Sequence, residues 1–222
     1  MTDRLDPARL AELWDFDDPD ASAERFRAES TAVGPIAAAE LATQLARALG
    51  LAGRRAEAEG ILDDLPDEPV VRVRAALERG RLLNSAGSPG DAVPYFEDAL
   101  ELAIAEGEDY LAVDAAHMLA IADTSRSGEW TERGIHLVEA SQDARTRRWL
   151  VGLHNNRGWT LFDEGDLDAA LAEFELAAAA AAEHGSEEQR RYAAEAVAEA
   201  QQAITRRPSG MSRATARRQS TA

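Results

Sequence analysis

Glycine recurs along this chain at Gly53, Gly87, Gly128 and Gly165, with separations of 34, 41 and 37 residues. The surroundings of each copy recur with it. Five residues after three of these glycines stands a small side chain (Ala58, Ala92, Ala170), and four further on a large apolar one (Leu62, Phe96, Phe174). Three more bring Leu65, Ala99 and Ala177. Seven residues before the same glycines come Ala46, Gly80 and Gly158, each followed three later by a leucine: Leu49, Leu83 and Leu161. The Gly128 copy is degenerate, with Ile121, Thr124, Arg133, Leu137 and Ala140 at the matching offsets. A period of this length marks stacked copies of one supersecondary unit, since a single copy cannot bury its own apolar face.

The unit is helical. Helical periodicity runs from about Asp6 to Ile204, broken by turn chemistry at Gly34-Pro35, Pro66 to Pro69, Ser88-Pro89, Ser127-Gly128 and Gly185-Ser186. Hydrophobic residues make up 45% of the chain but aromatics only 5%, so alanine carries much of the apolar content, which suits close-packed helices and not a β-sandwich. Ser88 is expected to cap a helix with Pro89 at its first position, and Ser186 with Gln189 to form a capping box. Residues 6–33 read as two further helices, the second starting at Asp18-Pro19-Asp20, packed through Leu10, Leu13, Trp14 and Phe16. Ser186 to Ile204 reads as a polar capping helix with Tyr192, Val197 and Ile204 facing inward.

The best copies are Gly80-Arg81-Leu82-Leu83 with Ala92-Val93-Pro94-Tyr95-Phe96, and Gly158-Trp159-Thr160-Leu161 with Ala170-Leu171-Ala172-Glu173-Phe174. They resemble the tetratricopeptide repeat, whose G-x2-Y…A-x3-F…P pattern has a period of about 34 residues. Here leucine replaces the tyrosine, and the family's leading tryptophan is absent from its place. The resemblance implies an all-α fold, a right-handed superhelical array of about four helix pairs with N-terminal helices and a C-terminal capping helix. The expected organisation is N-terminal helices over 1–35, repeats over about 36–66, 69–106, 109–142 and 143–184, a capping helix over 186–205, and a disordered basic tail over 206–222. Small residues at the repeated glycine and alanine positions are expected to let the two helices of a pair approach closely, with the phenylalanine filling the space between units.

Charge narrows the function. All 24 basic residues are arginine, against 41 acids, and lysine is absent, which excludes a lysine Schiff base or a phosphate-loop lysine. Five arginines and no acid fall in residues 206–222, so the first 205 residues hold nineteen arginines against 41 acids, a net −22. Such a body repels nucleic acid and anionic membrane, and neither is an expected partner. The absence of cysteine excludes disulfides and thiolate metal sites. Nothing at the N-terminus reads as a signal peptide and no apolar run is long enough to span a bilayer, so the expected location is cytoplasmic.

No catalytic constellation is present. His117, His136, His154 and His184 have no histidine four residues on, and no H-E-x-x-H, G-x-S-x-G, phosphate loop or G-x-G-x-x-G occurs. The expectation is a protein that is not an enzyme, with no metal and no cofactor. What the resemblance implies instead is a groove lined by the first helix of each pair, receiving a peptide or protein partner. Mapped by repeat offset, its positions are Thr43, Arg47 and Gly50; Leu77, Arg81 and Asn84; Met118, Ala122 and Ser125; and Asn155, Trp159 and Phe162. Arg74 shares a helical stripe with Leu77, Arg81 and Asn84, giving an expected anion-holding wall of Arg74, Arg81 and Asn84 facing a wall of Asn155, Trp159 and Phe162, with His117 alongside. The alternative is a sensor or carrier holding a small, anionic ligand in the same groove. A clamp of the kind that takes heat-shock chaperone tails is not expected, because lysine is missing.

Overall fold

The computed structural model describes residues 3–207, and every regular element among them is a helix. The disordered tail expected over 206–222 lies, beyond Arg207, outside the described residues. In chain order the helices are α1 (Pro7–Leu13), α2 (Pro19–Ser30), α3 (Pro35–Leu51), α4 (Arg55–Asp63), α5 (Pro69–Ser85) and α6 (Pro89–Glu106). Then come α7 (Asp109–Ala122), a 3-10 turn (Thr124–Arg126), α8 (Ser127–Ala140), α9 (Ala144–Arg147), α10 (Trp149–Asp163), α11 (Leu167–His184) and α12 (Glu187–Arg206). Most pack as sequential antiparallel pairs, an arrangement consistent with a helical repeat array. The described residues divide into two compact units, one ending at Ser141 and the other beginning at Gln142. None of the described helices is long and apolar enough to cross a membrane.

Helix starts follow the punctuation of the sequence. Proline opens α1, α2, α3, α5 and α6, where its missing N–H costs nothing. The Asp6 and Asp18 carboxylates accept from backbone N–H groups of the first turn, and Ser186 with Gln189 closes a full capping box on α12. Ser88 holds the cap position of α6, but its hydroxyl makes no capping bond. Gly53, Gly87 and Gly165 sit between paired helices with φ of +77°, +80° and +82°, a region that favours glycine. Gly128 differs. It is the second residue of α8, and the preceding turn is the 3-10 segment, where the Ser125 hydroxyl and Trp130 Nε1 donate to the two oxygens of Asp123.

Within a pair, spacing is set by a ring against a bare backbone. A Cβ on Gly80 would lie 2.4 Å from the ring of Phe96, and one on Gly158 2.5 Å from that of Phe174. Each phenylalanine therefore seats on the glycine of its own pair, and both rings are fully buried where the pair meets the helix that follows it. Ala92 and Ala170, four residues earlier, are buried completely, as are Ala46 and Ala58 in the first pair. In the first unit the Phe96 cluster continues through Ala99 and Ala103 to Leu111, Ala115 and Leu119 of α7. In the second, Phe174 packs with Ala196 and Ala200 of α12.

Two expectations about the ends shift. On α12 the buried stripe is Ala193, Ala196 and Ala200, with Val197 beside it, whereas Tyr192 is 52% exposed; the small residues permit the closer approach. Leu10 and Leu13 are core, but Phe16 is exposed and stacks on Trp14 with centroids 4.5 Å apart.

Gly80→Ala is expected to lower stability by about 1–3 kcal/mol, because the Phe96 ring has to move. Gly60 is exposed within α4 with nothing within 4 Å of a built Cβ, so Gly60→Ala is expected to raise stability by about 0.4–1 kcal/mol. Urea unfolding of the two variants checks both signs.

Candidate functional site

In the first unit α5 packs against both α3 and α7. The stripes along which α3 and α5 meet repeat at 34 residues: Glu40 with Arg74, Gln44 with Glu78, and Arg47 with Arg81. Stacking the repeats thus brings an acid of one helix beside an arginine of the next.

The first layer is closed. Glu40 is fully buried, its Oε1 accepting from Arg74 Nε at 3.2 Å and from Arg4 Nε at 3.1 Å, its Oε2 from the Leu5 backbone N–H at 2.7 Å. Arg4 reaches on to Glu108 at 2.8 Å. Arg74, 8% exposed, is thereby held by Glu40, and Leu77 lies in the core, so the structure places neither at a groove surface. Thr43 is likewise buried, its hydroxyl donating to the Glu40 carbonyl.

The second layer is open. Arg81 spans α5 and α7, donating from Nη1 to Glu78 Oε1 at 2.5 Å and from Nη2 to Asp114 Oδ1 at 2.6 Å. Burial alone would push the Asp114 carboxyl up; the positive charges of Arg81 and Arg47 and the Arg81 hydrogen bond outweigh it and hold the group below its ordinary value. Arg81 is raised for the same reason, its two anions overcoming its desolvation. Glu78 is 1% exposed, and its second oxygen, Oε2, has no hydrogen-bond partner among the described residues. On α3, Arg47 lies 5.6 Å from the ring centroids of both Trp14 and Phe16. The Trp14 indole is itself fixed by donation from Nε1 to Gln44 Oε1 at 3.2 Å. Burial, and then the charge of Arg81, lowers the Arg47 pKa.

Between these groups is a cavity of about 210 Å³. Arg47, Gly50 and Leu51 of α3 line it, with Glu78, Arg81, Leu82, Asn84 and Ser85 of α5 and Met118 of α7. Arg47, Gly50, Arg81, Asn84 and Met118 all stand at offsets assigned to the groove, so the repeat register brings these five together. Ala122 is buried and Ser125 belongs to the 3-10 turn. His117 flanks Asp114, and burial, only partly offset by Asp114, holds its imidazole below the ordinary value.

The remaining expected residues belong to the second unit. Trp159 is half-buried, edge-on to Phe174 at 4.9 Å and to Phe162 at 5.4 Å, so much of its surface is spent on packing. Asn155 is half-buried, and Phe162 borders a shallow depression with Glu195, Glu199 and Arg206 of α12. His154 Nδ1 and Arg157 Nε flank the Glu173 carboxylate at 2.8 and 3.3 Å. No cluster of His, Asp and Glu among the described residues has metal-site geometry.

The pairing of Arg81 with its neighbour Glu78 is readable from their three-residue spacing, whereas Asp114, Glu40 and Trp14 are site residues that sequence reasoning passed over. The 34-residue spacing of Glu40 from Arg74 and the 33-residue spacing of Arg81 from Asp114 carried the signal, because repeat-length separations stack. No protein-family model matches this chain, and no curated protein matches it in sequence.

Asp114→Asn leaves Arg81 with a single anion in a buried setting and is expected to cost about 3–5 kcal/mol by chemical denaturation. For His117 the folded pKa is depressed, so its contribution is complete above the ordinary imidazole value of about 6.5 and is lost as the pH falls below that value and through the lower folded pKa. The stability lost between pH 7.5 and 5.5 is therefore expected to be smaller in His117→Gln than in the parent.

Proposed function

We propose that this chain is a non-catalytic interaction protein of tetratricopeptide-like repeat type, which seats a segment of a protein partner in the cavity among α3, α5 and α7. The observation that carries the reading is that Arg47, Gly50, Arg81, Asn84 and Met118 line one cavity, each at the offset where such repeats present ligand-facing side chains. Cavity size favours a segment over a whole small ligand. Pockets for drug-sized molecules run to roughly 300–1,000 Å³. At about 210 Å³ this one has room for a side chain, with the rest of the partner lying outside. The charges point the same way. Arg81 is neutralised by Glu78 and Asp114, so the cavity is not the anion-binding wall that a carrier of small acids needs.

A photo-crosslinking residue at position 84, with another on the exposed face of α6 at Glu101, tests the reading in the native host. A protein adduct from position 84 and none from position 101 is the expected result. No adduct at 84, or equal adducts at both, removes the groove from consideration.

A further inference from the structure

Resting on that groove reading, we infer that the side chain the cavity accepts is a primary carboxamide, a glutamine or asparagine of the partner. Glu78, which lines the cavity, carries an acceptor without a donor: its Oε2, on a side chain 2% exposed, has no hydrogen-bond partner among the described residues. Arg47, also in the lining, is a donor without a carboxylate acceptor. Arg47 touches the rings of Trp14 and Phe16 and has no carboxylate within ion-pair distance among the described residues. A buried carboxylate oxygen left unmatched is costly, and a charge-assisted bond to it is worth about twice a neutral one.

Charge then selects among the groups that can bridge Glu78 and Arg47. In the lining the guanidiniums of Arg47 and Arg81 face the carboxylate of Glu78, and Asp114, bonded to Arg81 outside the lining, brings the cluster to neutrality. An alkylammonium entering to meet Glu78 faces two arginines, and a carboxylate entering to meet Arg47 faces Glu78, with Asp114 already holding Arg81. Either ion is also stripped of water against the apolar wall of Leu51, Leu82 and Met118. A carboxamide carries no net charge to desolvate. Its NH2 donates to Glu78 Oε2, its carbonyl accepts from Arg47, and its methylene stem lies against the apolar wall. Trp14 and Phe16 hold Arg47 in place for this contact, which makes them positioning residues.

Butyramide, butylammonium and butyrate, three probes of nearly one size, separate these cases. Each is titrated into the full chain labelled with 15N, following the Arg47 Nε–H and Asn84 side-chain resonances. Saturable shifts with butyramide are expected, with butylammonium and butyrate at least tenfold weaker. Arg47→Met is expected to abolish the butyramide response while the chain stays folded by circular dichroism at the titration temperature, at a lower melting temperature because the charge of Arg47 beside Asp114 and its contacts with Trp14 and Phe16 are lost. Glu78→Gln is expected to weaken it at least tenfold; if that variant does not fold, Arg47→Met decides alone. Butylammonium or butyrate binding as tightly as butyramide, no response to butyramide, or an unchanged response in Arg47→Met overturns the inference. A protein adduct at position 84 with no butyramide response overturns the carboxamide alone and leaves the groove reading standing. A butyramide response with no adduct supports the carboxamide preference and overturns the partner-segment reading.

Discussion

The contact between Phe96 and Gly80, repeated by Phe174 on Gly158, sets the geometry on which the other features rest. A ring lying directly on a helix backbone fixes how near the second helix of a pair comes to the first, and the fully buried alanines one turn earlier keep the rest of the seam equally close. With α5 and α6 locked at that spacing, α6 packs on α7, and the face of α5 turned away from Phe96 is left to meet α3 and α7. The chain thus builds its core with small residues and few rings, and keeps its first-of-pair helices free to present polar groups to one another.

What those helices present is a two-storey arrangement of charge. Around Glu40 every acceptor is met, by Arg74, Arg4 and a backbone N–H, and the layer functions as a rivet between α3 and α5 with the N-terminal segment folded over it. Around Arg81 the tally stops one donor short, at Glu78 Oε2, and the space beside it is a cavity. The same motif of acid against repeat-spaced arginine is saturated in one layer and unsaturated in the next. Burying incompletely paired ionic groups lowers stability. The unsaturated layer is accordingly where a ligand gains most by completing the set.

The glycine, alanine and phenylalanine offsets made the helix pairs legible in the sequence because they report backbone approach, which is local to a pair. They failed at Gly128, where Thr124-Ser125-Arg126 makes the turn by hydrogen bonds to Asp123 and the glycine is absorbed into α8. They also could not fix the phase of α12: Tyr192 is the largest apolar residue there, yet it is exposed, and the packed stripe is Ala193, Ala196 and Ala200 with Val197 beside it. The groove positions Arg47, Asn84 and Met118 were readable from the register alone. The fate of Arg74 was not, because its charge is cancelled by Glu40 in the preceding repeat, and a pairing across repeats exists only once they are stacked.

Sequential packing also has a mechanical side. In the second unit α12 rests on α11 and α10, so the last helix can detach by opening that one seam while the pair beneath it keeps its own. In the first unit the links Glu40–Arg74 and Arg81–Asp114 tie α3, α5 and α7 to each other across the intervening helices. Because α5 carries both arginines, it cannot leave its place without breaking both links, and the middle of the first unit opens as a whole or not at all.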